Sequence, residues 1–316
     1  MTLLLNGAEV ERLLTPALCI AAVEDAFRLH ALGEVPAPGI LGMHQGEGGF
    51  HVKAGFLAVE GRAYFAAKLN ANFPGNPKRG LPTIQGAVLL SDAQEGTPLA
   101  VMDSISITAL RTAAASAVAA KHLAREECDT LVVCGCGGQA RAQLAALLAV
   151  RKPRRVLAYD RDPGRAEAFA RATGTKPSPD LSEACRAADI IVTCTTATEF
   201  FLTRDMVRPG TFIAAVGADN EHKQEIEPRL MAEAKVVTDL TEQALKIGDL
   251  HHAAEAGASA HAQLGEVIAG LKPGRTRAEE VVVFDSTGTG LQDVAASIAA
   301  YRTAVAQKAG TSWRLA

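Results

Sequence analysis

The segment Leu131-Val132-Val133-Cys134-Gly135-Cys136-Gly137-Gly138-Gln139-Ala140 constrains this chain more than any other. Four apolar residues of strand type run straight into glycines and then into an alanine- and leucine-rich stretch, 141–150, that reads as a helix. A strand, a tight glycine turn and a helix N-terminus in immediate succession make an anion-binding corner. Gly135 permits the turn and Gly137 lets the backbone approach a pyrophosphate. The helix start supplies N–H groups and a partial positive charge. Ala140 stands at the third small position, and Gly138 and Gln139 complete the turn. The next strand-like run, 155–159, ends in Asp160, where a carboxylate accepts hydrogen bonds from a ribose 2′-hydroxyl and repels a 2′-phosphate. This favours NAD, while the adjacent Arg161 keeps NADP possible. A glycine turn in an ordinary α/β domain without a ligand is the plain structural alternative.

The rhythm around this corner extends the argument. Short apolar runs at 131–134, 155–159, 190–194, 211–216, 235–238 and 281–284 alternate with helical segments. Continuous apolar runs between helices are the mark of buried parallel strands, here six in a doubly wound sheet. Residues 1–115 read differently. Thr15-Pro16 caps and starts a helix that Gly33 stops, and strand-like stretches at 50–54, 63–68 and 85–91 follow, separated by Gly-, Pro- and Asn-rich loops. We therefore expect an α/β chain in which a Rossmann-type sheet, 116–298, is inserted in a smaller α+β domain. The latter is made of 1–115 plus about 299–316 and serves substrate binding and dimerisation.

Composition excludes several function classes. A formal charge of −3 offers no basic excess for a nucleic-acid partner. No apolar run approaches membrane-spanning length, and the start, MTLLLNGAEVERLL, lacks a basic secretory n-region, which predicts a cytoplasmic protein without membrane association. The six cysteines form neither a disulfide framework nor a zinc-spaced set, so no metal is expected.

Three polar clusters lie outside the glycine corner: Lys68 with Asn70 and Asn72, Arg111 in Thr108-Ala109-Leu110-Arg111-Thr112-Ala113-Ala114, and Asp219 in Val216-Gly217-Ala218-Asp219. Arginine offers a planar fork to a carboxylate. A carboxylate beyond the end of a parallel strand sits where an acid/base group belongs. Each also has a bland reading: a solvated lysine, a structural ion pair, a loop cap. His51 and Lys53 share one strand face and are either site residues or exposed strand positions.

Taken together, Lys68 with Asn72 and Pro74-Gly75-Asn76, Leu81-Pro82-Thr83, the TALRTAA string, the glycine corner, the GAD loop and Asp285-Ser286-Thr287-Gly288 resemble the ornithine cyclodeaminase/mu-crystallin family over nearly the whole chain. The resemblance implies a homodimer acting on a small imino, amino or 2-oxo acid with NAD(H). Within it, Arg111 would hold the substrate carboxylate, Lys68 would polarise the reacting group and Asp219 would serve as acid/base. Thr83 and His51 would lie near the substrate. Thr195, Lys223 and Ser286 would join Gly135, Gly137, Gly138, Gln139, Ala140, Asp160 and Arg161 around the cofactor.

Two departures bear on the reaction. Many members carry a second carboxylate-binding arginine shortly after the first helix, whereas 36–41 here (PAPGIL) has none, and cyclodeaminases have an acid near the position of His51. Both favour a reductase of C=N bonds or an amino-acid dehydrogenase over a cyclodeaminase that releases ammonia. A mu-crystallin-like binder without turnover would not require Lys68, Arg111 and Asp219 together.

Overall fold

The computed structural model describes residues 1–314. The chain divides into two compact units, Met1–Arg111 with Thr289–Ala316, and Thr112–Gly288. The first unit begins with β1 (Thr2–Leu5), α1 (Gly7–Leu13) and α2 (Pro16–Ala31). Thr15 caps α2 as expected, its hydroxyl accepting from Leu18 N, and Gly33 follows the helix at φ 75°. Next come β2 (Gly39–Gln45), β3 (Gly48–Val59), β4 (Arg62–Asn72), β5 (Ile84–Asp92) and β6 (Pro98–Asp103). The sequence marked the first halves of β3 and β4 and nearly all of β5, and left β1 and β6 unmarked. β2 was missed because all seven of its residues are exposed, which leaves no alternation to read.

Helix α3 (Ser104–Leu123) carries the chain out of this unit. In the second unit β7 (Thr130–Cys134), α4 (Ala140–Val150), β8 (Arg155–Tyr159), α5 (Pro163–Thr173), β9 (Lys176–Pro177), α6 (Leu181–Ala187) and β10 (Ile190–Thr193) come first. They are followed by β11 (Phe212–Ala215), α7 (Pro228–Glu233), β12 (Lys235–Thr238), α8 (Thr241–Ile247), α9 (Asp249–Ala253), β13 (Ala260–Gln263), α10 (Leu264–Ile268) and β14 (Val282–Asp285). The chain returns to the first unit with α11 (Gly290–Gln307) and β15 (Thr311–Trp313).

The second unit is an eight-stranded sheet in the order β13-β12-β14-β11-β10-β7-β8-β9, with every pair parallel. All six expected strands are present and adjoin one another. The two additions lie at the edges: β9 has only two residues, and β13 (AHAQ) interleaves polar side chains and so leaves no apolar run. Helices cover the sheet, and residues such as Val132, Ile191, Ile213, Leu230 and Val283 form its core with no exposure above 0%. Burial on both faces is what makes the strands continuous apolar runs.

The first unit is a seven-stranded mixed sheet, β15-β1-β6-β5-β4-β3-β2, in which only β1 and β6 pair in parallel. The chain enters this unit again at Thr289, earlier than the 299 read from the sequence, because the first turn of α11 bonds back to β4 through Asp293 and Lys68. The expected tail ends in residues 315–316, which lie outside the described residues.

Candidate active site

The glycine corner has the shape the sequence implied. Gly135 N donates to Tyr159 O at 2.8 Å, locking the turn to the end of β8. Gly135 has φ 96°, and a Cβ there would lie 2.7 Å from Thr195 Cγ2 and 2.9 Å from Cys194 O. Only glycine satisfies both conditions. Gly137 and Gly138 have nothing within 4 Å of a Cβ position, so open space lies before them. Helix α4 starts beyond Gln139 with no side chain capping its first N–H groups. Gln139 Oε1 is buried without a partner. Uncapped N–H donors facing space are what a dinucleotide's phosphates require, and the unpartnered Gln139 Oε1 can accept from a ligand hydroxyl, so these residues fit NAD.

Asp160 stands at the end of β8, with Oδ2 accepting from Cys136 N at 2.8 Å and Oδ1 from Asp162 N at 3.0 Å. It thus shapes the turn from the strand end at which the sequence expects a ribose hydroxyl. Burial, and then Asp160, push the Cys136 thiol up to about 12, so it stays protonated and is no nucleophile. Arg161 is exposed beside it.

Beyond β10, β11 and β14 lie the remaining residues expected near the cofactor. Thr195 donates to Glu225 Oε1 through both its N–H and its hydroxyl, each at 2.7 Å. Lys223 Nζ pairs with Asp219 Oδ1 at 2.6 Å, and His252 Nε2 lies 3.0 Å from Lys223 O. Ser286 is buried and donates to Asp239 Oδ2 at 3.2 Å. Each of these side chains is therefore held in place by the protein itself.

In the first unit, Lys68 on β4 and Arg111 on α3 meet on one carboxylate. Asp293, in the first turn of α11, accepts at Oδ1 from Lys68 Nζ and from Arg111 Nε, each at 2.9 Å, and Arg111 Nη1 donates to Gln292 Oε1 at 2.7 Å. Exposure is 2% for Lys68, 4% for Arg111 and 0% for Asp293. The register pairs Lys53 with Lys68 and His51 with Asn70, so both residues of β3 share Lys68's face of the sheet. Thr83 lies in the turn before β5, with its carbonyl accepting from Phe73 N at 2.8 Å, and does not bond to this group.

The electrostatics of the group follow from its burial. Loss of water, and then the nearby Arg111, drive the Lys68 ammonium down to about 7, against the pull of Asp293. For Asp293 burial raises the pKa, but Lys68 and Arg111 outweigh it and hold the carboxyl below its usual range. An amine poised near neutrality beside a fixed guanidinium can exchange a proton with a ligand that the guanidinium holds. Arg111 is thus both an ion-pair partner, its bland reading, and a candidate anchor. Asp293 and Gln292 escaped the sequence reading, as did Glu225. An acid in a first helical turn is what the helix dipole favours anywhere. Glu225 sits in irregular chain, where nothing in the sequence announces burial.

The model of the ornithine cyclodeaminase/mu-crystallin family matches residues 1–308. An alanine dehydrogenase of Archaeoglobus fulgidus is 38% identical over 317 residues, covering 98% of this chain and 97% of the relative. The structure of an archaeal alanine dehydrogenase dimer with bound NAD superposes with a TM-score of 0.93 at 38% identity, over 100% of this chain and 99% of that one. A Thermococcus litoralis Δ1-pyrroline-2-carboxylate reductase, solved with NADH and L-proline, gives 0.91 at 32% identity, over 99% and 100%.

Proposed function

This chain belongs to the ornithine cyclodeaminase/mu-crystallin family, and on that premise we propose that it is an NAD(H)-dependent oxidoreductase of small imino and amino acids. It reduces the C=N bond of an imino acid, or in reverse oxidises the amino acid. The observation that carries this reading is the buried Lys68–Asp293–Arg111 group, which supplies a carboxylate anchor and a proton source near neutral pH.

The roles follow from donor count and charge. Arg111 spends two of its five N–H donors on Asp293 and Gln292, and those remaining take the substrate carboxylate in the bidentate manner that guanidinium favours. A nicotinamide held by the glycine corner would supply the hydride that the imine carbon takes up. Lys68 polarises the C=N group and gives its nitrogen the proton that completes the amine. Asp219, ion-paired with Lys223, is the second acid/base group. His51 and Thr83 complete the substrate side. Gly135, Gly137, Gly138, Gln139, Ala140, Asp160, Arg161, Thr195, Lys223 and Ser286 form the cofactor side. Asp160 selects NAD over NADP by repelling a 2′-phosphate.

The working form is a homodimer. The face of the first unit's sheet that carries Leu41, Met43, Phe50, Phe56, Leu69 and Leu89 leaves each of them between 38% and 62% exposed. Alternation along the paired strands puts them together, and a contiguous apolar face of this kind is covered by a partner. We assign the protein to the cytoplasm because all six cysteines are unpaired. No helix among the described residues is long and apolar enough to cross a membrane.

The test is nicotinamide absorbance with purified protein, NADH and a panel of cyclic imino acids, and of 2-oxo acids with ammonia or methylamine. NADH loss that disappears in Lys68→Ala and Asp219→Ala supports the reading. Ammonia release from a diamino acid at constant NADH would replace it with cyclodeamination, and silence in both assays with a binder.

A further inference from the structure

We infer that Glu225 is a positioning residue for the cofactor, a buried carboxylate that ties the glycine corner, the loop after β10 and the loop carrying Asp219 into one receiving surface. The inference rests on the nucleotide reading above and goes beyond it, since nothing in the glycine motif or the Asp219 loop calls for this residue.

The sheet order places β7 beside β10, with β8 on the far side of β7 and β11 on the far side of β10. The winding reverses between β7 and β10, and in open parallel sheets ligands lie outside the carboxyl ends of the strands at such a reversal. Glu225 belongs to none of these strands. It comes from the irregular segment between β11 and α7, yet its side chain lies at 0% exposure among the strand ends. Oε1 accepts from Thr195 N and Thr195 Oγ1, both at 2.7 Å. Oε2 accepts from Thr193 Oγ1 at 2.6 Å and from Gly217 N at 2.8 Å. Four donors and no acceptor describe an ionised carboxylate. Burial raises the pKa of Glu225, and these same hydrogen bonds oppose the rise.

The contacts run on from there in both directions. Thr195, held at two atoms, presents its methyl group to Gly135, where a Cβ would approach within 2.7 Å. On the other side a Cβ on Gly217 would lie 2.4 Å from Glu225 Cδ, and Ala218 and Asp219 follow directly. One carboxylate thus sets the backbone that shapes the phosphate turn and the backbone that presents Asp219.

Its own chain is fixed in turn. Asp249 Oδ1 accepts from the N–H groups of Glu225 and Ile226 at 2.7 and 2.9 Å, and Asp285 accepts from those of Asp249 and Leu250 at 3.3 and 2.8 Å. Taking three carboxylates out of water is costly, and apolar side chains would fill the same volume at lower cost. What apolar side chains cannot do is hold loop N–H and hydroxyl groups in defined directions.

The probe is NADH itself, titrated into the full-length protein and followed by nicotinamide fluorescence. Glu225→Gln keeps the shape but sets an amide N–H against a donor, and the NADH Kd rises roughly tenfold or more. Glu225→Asp, a carboxylate set back by one methylene, falls between Gln and wild type. Thr193→Val removes the donor to Oε2 at constant shape and raises the Kd in the same direction, and Thr193→Ser, which keeps the hydroxyl, restores it. At saturating NADH the KM for the imino acid stays within about twofold of wild type, because the substrate's carboxylate is held elsewhere. Should Glu225→Gln fail to fold, the Thr193 pair carries the test alone. Unchanged NADH affinity in the Glu225 and Thr193 variants, with only a lower melting temperature, would overturn the inference. Wild-type protein that binds no NADH would overturn the nucleotide reading and this inference with it.

Discussion

Arg111 and Lys68 share one carboxylate but do different work, and kinetics separates them. Arg111→Met removes the anchor and leaves Asp293 with Lys68. We expect the KM for the imino acid to rise roughly thirtyfold, about 2 kcal/mol for a charge-assisted hydrogen-bonded contact, with NADH affinity unchanged by fluorescence titration. Lys68 acts through its proton. Burial lowers its pKa from 10.5 to about 7, so the ammonium predominates below pH 7 and the neutral amine above it. Reduction needs the ammonium, and its rate falls as pH rises through about 7. Oxidation needs the amine, and its rate rises through the same interval. A pH profile of kcat in both directions shows the mirrored limbs, and Lys68→Met loses them along with most of the activity. The sequence marked both residues because a lysine at a strand end and an arginine at the mouth of an alanine-rich helix are unusual places for charge. It gave no sign of Asp293, which looks like any acid in a first turn until α11 is seen to bring it to β4.

At the scale of elements the second unit was the more legible. Its strands are buried on both faces, so each is a continuous apolar run, and the glycine corner fixes where the winding begins. Of the strands that stayed hidden, β9 is a two-residue edge strand, β13 an edge strand with polar residues interleaved, and β2 is exposed along its whole length, while β1, β6 and β15 were also not marked. The corner also carries the plainest prediction for an element. Gly135→Ala forces a side chain into φ 96° and against Thr195 and Cys194, costing about 1–3 kcal/mol of stability on conformation alone. We expect the urea midpoint to fall and NADH binding to weaken well beyond what Gly138→Ala does, since that position opens on space. Equal effects from the two substitutions would remove the distinction between turn and surface drawn here.

For the whole molecule, the sequence indicated one domain inserted in another but placed the return too late, because an alanine-rich helix has no feature that says which sheet it covers. The apolar face of the first unit was likewise unreadable. Phe56, Leu69 and Leu89 are ordinary strand residues until pairing sets them side by side. Light scattering on the purified protein should give twice the 33.0 kDa of one chain. Leu69→Asp with Leu89→Asp should shift it toward the monomer, because two charges cannot be buried in an apolar interface. A wild-type monomer would leave that face without an explanation.

The central claim is that this protein moves a hydride between NAD(H) and the carbon of a C=N bond. It is tested most directly by supplying NADH deuterated at both C4 positions, with the best imino acid of the panel, and weighing the product. The account predicts one deuterium at the α-carbon of the amino acid for each NADH consumed. An amino acid formed without deuterium, or ammonia released from a diamino acid while NADH stays constant, would contradict it.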